Sequence, residues 1–153
     1  MKLTSPDFTN GERLPDKFAL DHDNLSPSLH WTDLPPGTKE VAIICDDPDA
    51  PIGTWLHWVI YGIPSMVTHL AAGIPKNPTL DELGGARQGV TDFKKIGYDG
   101  PRPPKGPRHR YFFRLYALRE SVNLPPGASV AQLRKAMQGK ILEETELMGT
   151  YSR

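Results

Sequence analysis

From Lys39 to Cys45 the chain carries the unbroken apolar run Val41-Ala42-Ile43-Ile44, set between Pro35-Pro36-Gly37 and Pro48. A short apolar, partly β-branched run between turn residues reads as a strand buried on both faces. His57-Trp58-Val59-Ile60-Tyr61 repeats the pattern and is stopped by Gly62 and Pro64. The third run, Arg110 to Leu118, alternates with period two: Tyr111, Phe113, Leu115 and Ala117 share one face, Phe112, Tyr116 and Leu118 the other. Phe18–Leu20, Leu29–Trp31 and Gly149–Tyr151 read as further short strands. Ser129 and Gln132 form a capping box, and Val130, Leu133, Ala136 and Met137 follow at helical spacing. That pattern stops or bends at Gly139, before Ile141 to Leu147. The polar stretch Pro75 to Gly89, with Gly84-Gly85, reads as a long surface loop and a candidate partner surface. Strands crowd the first two thirds and a helix lies near the end, so the expected fold is mainly β, a sandwich edged by one or two helices.

Composition narrows the function. The 153 residues suit a single domain, 1–153, with one core. Eighteen basic residues balance eighteen acidic ones, so no electrostatic footprint for nucleic acid or an anionic membrane surface is present. The single Cys45 has no internal disulfide partner, and its apolar strand makes it a core thiol. Met1 to Asn10 shows no leader pattern and no apolar run is long enough to span a bilayer, so a cytoplasmic protein is expected. Proline is the departure: 16 of 153 residues is roughly twice average usage and demands many turns and ordered loops.

The chemistry gathers at strand ends. Asp46, Asp47 and Asp49 follow the first strand, Trp55 and His57 open the second, and His109 and Tyr111 open the third behind a Pro/Gly loop. If the three strands are neighbours and the first runs antiparallel to the others, these groups meet on one rim. Two imidazoles, a phenol hydroxyl and glycine-loop amides would suit a phosphate or carboxylate. Asp47 is the odd member: it orients a histidine, is protonated, or meets an ammonium group on the ligand. Asp46 and Asp49 read as turn-capping residues. His22, His30 and His69 have no supporting context. Asp47, His57 and His109 contain the residue types of a two-His, one-carboxylate metal site, but no local spacing enforces one, so no metal or cofactor is expected. The acidic cluster lacks the glycine and final Glu of an EF-hand, and no Gly-x-Ser-x-Gly elbow, Walker loop or Gly-x-Gly-x-x-Gly occurs.

Asp47-Pro48-Asp49-Ala50-Pro51, Trp55-Leu56-His57-Trp58, and Gly100-Pro101-Arg102-Pro103-Pro104-Lys105-Gly106 before His109-Arg110-Tyr111 resemble the signatures of the phosphatidylethanolamine-binding protein family. Asn24-Leu25-Ser26-Pro27 with Trp31, and the ending Gly149-Thr150-Tyr151, are similar to its compact prokaryotic YbhB/YbcL, or Raf kinase inhibitor-like, branch. The resemblance spans nearly the whole chain. It implies an antiparallel β-sandwich with a βαβ element and peripheral helices. It also implies an anion pocket formed by Asp47, Ala50, Pro51, Trp55, His57, Gly100, Arg102, Pro103, Pro104, His109 and Tyr111. Arg102 stands where some eukaryotic members have glycine, and so either adds a cation to the rim or restricts entry. The chain ends without the C-terminal helix of mammalian members, which implies a more open site. Family members are binders and regulators of kinases, proteases and signalling steps, so the resemblance implies a small anionic or phospho-headgroup ligand, a kinase or protease partner, and a homodimer. The alternative is a hydrolase or transferase with His57 or His109 as general base and Asp47 as its orienter, for which the chain offers no evident nucleophile.

Overall fold

The three apolar runs lie side by side at the centre of one sheet in the computed structural model, which describes residues 1–153. In chain order the strands are β1 (Lys2–Thr4), β2 (Leu29–Thr32), β3 (Glu40–Asp47), β4 (Trp55–Pro64), β5 (His69–Leu70), β6 (Thr79–Leu80), β7 (Ala86–Gln88), β8 (His109–Leu118) and β9 (Ile141–Tyr151). The one α-helix, α1 (Val130–Met137), lies in the connection between β8 and β9, which pair antiparallel, so the parallel βαβ unit implied by the resemblance is not formed. A three-stranded sheet ordered β1-β2-β5 packs on a six-stranded sheet ordered β6-β7-β4-β3-β8-β9, with every pairing antiparallel.

β3 is buried along its whole length because each face meets a different layer. Val41, Ile43 and Cys45 join Trp58, Ile60, Phe113 and Leu115 in the core between the sheets. Ala42 and Ile44 pack with Val59, Tyr61, Leu118, Leu133 and Met137 beneath α1. Each fully buried side chain of this size contributes roughly 1.5–3 kcal/mol, so the central strands anchor both cores. The helix starts as its residues dictate: the Ser129 hydroxyl accepts from the Gln132 amide, and the Gln132 side chain accepts from the Ser129 amide.

Four further expectations are corrected. Phe18–Leu20 is no strand: Asp16–Phe18 is a 3-10 turn whose buried Phe18 plugs the core. Ile141–Leu147 does not prolong the helix but pairs with β8 as part of β9, continuous with the expected strand at Gly149–Tyr151. The stretch Pro75–Gly89 is not a free surface loop, since it supplies β6 and β7 and buries Leu80, Ala86 and Gln88. Gln88 holds it down by accepting from Trp58 Nε1 at 2.7 Å and donating to the Pro75 and Asn77 carbonyls. Lastly, Asp46 and Asp49 are not turn caps; their partners are described with the site below.

No helix is long and apolar enough to cross a membrane.

Candidate functional site

Because β3 runs antiparallel to both β4 and β8, its C-terminal end faces their N-terminal ends. Asp47 lies opposite Trp55, and Asp46 lies opposite both Leu56 and Phe112. The pairing passes from Cys45↔Trp58 to Asp46↔Leu56, which leaves His57 as the extra residue of a β-bulge. A bulge bends its strand and re-aims a side chain. Here it brings the His57 ring to 5.2 Å from the Tyr111 ring, edge to face, on the inter-sheet side of the sheet.

The result is a cavity of about 370 Å³ at the strand ends. It is lined by Asp47, Ala50, Pro51, Trp55, His57, Arg102, Pro103, Pro104, His109 and Tyr111, joined by Leu20, Ile52 and Phe93. Ten of the eleven residues implied by the resemblance therefore meet here. Gly100 is the exception. Its amide donates to Asn24 Oδ1 at 2.7 Å, and a Cβ at this position would overlap the Phe18 carbonyl oxygen. Gly100 is needed for close backbone packing behind the pocket, not for an amide aimed into it.

Each imidazole is anchored at Nδ1. His57 Nδ1–H donates to the Asp99 carbonyl at 2.7 Å, and the Asp99 amide donates back to the His57 carbonyl at 3.2 Å. His109 Nδ1 bonds Asp47 Oδ2 at 2.7 Å, while Asp47 Oδ1 accepts the Asp49 amide at 2.7 Å. Asp47 is thus the orienter of a histidine and caps its own loop. Neither Nε2 atom has a partner within the chain and neither is enclosed, so both open into the cavity. Burial lowers the affinity of His57 for a proton, against the opposing pull of the Asp99 carbonyl and of Asp47. Burial first, then the charge of Asp47, raises Tyr111 far above the ordinary phenol value, so its hydroxyl keeps its proton.

The neighbouring charges are engaged, some in threes: Asp21 takes both Arg102 and Arg153, and Arg114 takes both Asp46 and Glu146. Arg102 Nε reaches Asp21 at 2.9 and 3.1 Å, so this lining cation is already engaged. Arg110 donates to Asp49 through its amide and two guanidinium nitrogens, each at 2.9 Å, and holds that carboxyl below its usual range. These bonds tie the loop after β3 to β8. Buried Asp46 accepts two bonds from Arg114, at 2.8 and 3.1 Å. Arg153 Nε donates to the Pro103 carbonyl at 2.6 Å, fixing the second proline-rich loop. Asp47 spends both oxygens on His109 and Asp49, and no group of three His, Cys, Asp or Glu side chains is arranged to hold a metal ion.

A family model described as phosphatidylethanolamine-binding protein matches residues 4–152. The chain belongs to the phosphatidylethanolamine-binding protein family. It is 47% identical over 155 residues to a UPF0098 protein of Aquifex aeolicus, covering 100% of this chain and 89% of that one. Against YbhB of Escherichia coli the identity is 42% over 140 residues, 87% of this chain and 88% of the relative. The crystal structure of E. coli YbcL, described as a new member of the mammalian family, matches with a TM-score of 0.92 at 31% identity, covering 99% of this chain and 98% of that one. That of CT736, a homologue from Chlamydia trachomatis, gives 0.89 at 36% identity, with 99% and 96% covered. The YbhB/YbcL resemblance read from the sequence is thereby shown.

Among members of the phosphatidylethanolamine-binding protein family, then, this chain has an apolar mouth that sequence reasoning missed. Ile52, 85% exposed, sits on the rim, and Phe93 packs edge-on against both Trp55 and His57. Nothing near Phe93 in sequence marks it. Asp99 was missed too, although it adjoins the Gly100 loop. Asn24 explains its own motif: in a left-handed conformation (φ 55°) it donates to Asp99 Oδ1 and accepts from Gly100. Lys76 donates to the same Oδ1 at 2.7 Å, while Asp99 Oδ2 is buried with no partner.

Proposed function

We propose that this family member is a non-enzymatic binding protein for a small phosphate, carboxylate or phospho-headgroup anion. One observation carries this: His57 Nε2, His109 Nε2 and the protonated Tyr111 hydroxyl open into a single cavity whose walls are otherwise mostly apolar. Both imidazoles are held at their far nitrogens, so the ligand-facing geometry is set before binding. The regulatory part of the reading, modulation of a kinase or protease partner, rests on family membership and not on the cavity.

Calorimetric titration with phosphate, acetate and phosphoethanolamine tests the reading. Saturable binding by the wild type that His109→Ala loses is expected. Equal binding by both proteins would remove the site from consideration.

One observation favours a hydrolase or transferase instead: the Asp47–His109 pair has the geometry of a base with its orienter. Against it, no serine, threonine or cysteine lines the cavity. Cys45 is fully buried, and burial and the charges of Asp46 and Asp47 push its thiol well above the ordinary value. Turnover of phosphoesters or esters that disappears in His109→Ala would favour this second reading.

A further inference from the structure

We infer that the cavity takes its anion together with a proton, and so selects oxyacids that still carry a titratable proton near neutrality, phosphomonoesters and inorganic phosphate, over phosphodiesters. This rests on the anion reading above and names the ligand class of that site.

The argument begins with the tautomers. The Asp99 carbonyl can only accept, so the nitrogen bonded to it, His57 Nδ1, carries hydrogen. The Asp47 carboxylate imposes the same on His109 Nδ1. In each neutral ring Nε2 is then a lone pair, and both lone pairs face the cavity. A bare oxyanion meeting either would place two acceptors against each other.

The fixed charges do not relieve this. Around His57 stand the Asp99 carboxylate, matched by Lys76 at 2.7 Å, and Asp46, matched by Arg114. At the mouth Arg102 shares Asp21 with Arg153, whose Nη1 lies 3.4 Å from that carboxylate, and Arg110 is matched by Asp49. Asp47 is the carboxylate whose one charge partner is an imidazole. Tyr111 supplies a neutral donor, the Trp55 indole N–H on the cavity wall has no partner within the chain, and Phe93 supplies none. With both imidazoles neutral the lining holds no surplus positive charge, so a dianion enters with a proton shared between its oxygen and an Nε2. A phosphomonoester, with a second pKa of about 6, takes up that proton readily. A phosphodiester has none to share and depends on imidazolium forming first.

The test is isothermal titration of the wild-type protein at pH 7.5 in buffers of different ionisation enthalpy, with inorganic phosphate, phosphoethanolamine and dimethyl phosphate. The free phosphate and the ethanolamine monoester separate the simple anion from a headgroup. The proposal expects uptake of about one proton per phosphate bound. It also expects dimethyl phosphate to bind at least tenfold more weakly, a gap that narrows at pH 5.5. A variant, His57→Gln, with an amide near Nε2, is expected to reduce proton uptake. The wild-type measurement stands alone if that variant fails to fold. Phosphate binding with the same heat in every buffer overturns the proposal and leaves the anion reading intact. Absence of binding by every ligand overturns both.

Discussion

Asp47→Asn is the sharpest single change the site offers. The asparagine keeps the shape, and its carbonyl oxygen can still accept the Asp49 amide that Asp47 Oδ1 holds at 2.7 Å. Its amide nitrogen then replaces Oδ2 against His109 Nδ1, at 2.7 Å in the wild type, and becomes the donor of that bond. His109 must switch tautomer, so Nε2 turns from lone pair to N–H donor aimed into the cavity. A carboxylate charge is removed as well. Adding the 2.7 Å bond, the width of the ring and one hydrogen bond to the ligand places that charge about 7 Å from a bound anion. At an effective dielectric of about 20 the repulsion at that distance is roughly 2 kcal/mol, about thirtyfold in Kd. Loss of a charge-assisted hydrogen bond lowers folding stability by about 1–2 kcal/mol, leaving the fold intact. Calorimetry at pH 7.5, with a thermal melt as a control on folding, is expected to show tighter phosphate binding with less proton uptake. Binding that is weaker than wild type in a folded variant would refute the reasoning, because it would mean that Asp47 serves the anion by sustaining an imidazolium on His109.

Three further changes bear on the frame around the site. Gly100→Ala forces a methyl group into the Phe18 carbonyl and is expected to cost about 3 kcal/mol, a Tm loss of roughly 6–12 °C by calorimetry. Arg114→Ala strands the buried Asp46 carboxylate and is expected to cost about 2 kcal/mol in urea denaturation. Asp46→Leu combined with Arg114→Met is expected to recover at least half of that loss; no recovery would place the cost in packing against Phe112 instead. His57 gives a pH dependence. Its folded pKa lies below the unfolded value of about 6.5 because burial disfavours the cation, so no penalty exists above 6.5. As pH falls from 6.5 toward the folded pKa, the unfolded chain gains a proton that the folded one refuses, and stability drops by up to about 1.4 kcal/mol per unit. Urea midpoints between pH 7.5 and 5.5 are expected to fall more steeply for the wild type than for His57→Gln.

The strands that fill two cores at once were the legible part of the fold. An unbroken run such as Val41–Cys45 has one physical solution, burial on both sides, and β3 adopts it. β9 was hidden because Glu143, Glu144 and Glu146 make it polar, and it earns its place as an edge strand by pairing with β8 rather than by apolar pattern. Phe18–Leu20 misled for the opposite reason: Phe18 and Ala19 are buried from a turn and Leu20 lines the cavity, so no alternation is required. β6 and β7 span too few residues for periodicity to show.

At the site, the residues beside proline and glycine were visible as motifs, and their convergence followed once β3 was set antiparallel to β4 and β8. The bulge at His57, the Asp99 carbonyl that fixes its tautomer, and the wall supplied by Phe93 were not visible. Each depends on pairing register or on a contact across distant segments, which local sequence does not encode. The two alternatives for Arg102 meet in its pairing with Asp21: it lines the mouth, but its charge is already engaged.

The most direct test of the anion site is a crystal structure of the wild-type protein soaked in sodium phosphate. The account predicts a phosphate whose oxygens lie about 2.6–3.2 Å from His57 Nε2, His109 Nε2 and the Tyr111 hydroxyl. A cavity that holds water alone, with phosphate bound instead along the exposed Lys105–Arg108 loop, would contradict it.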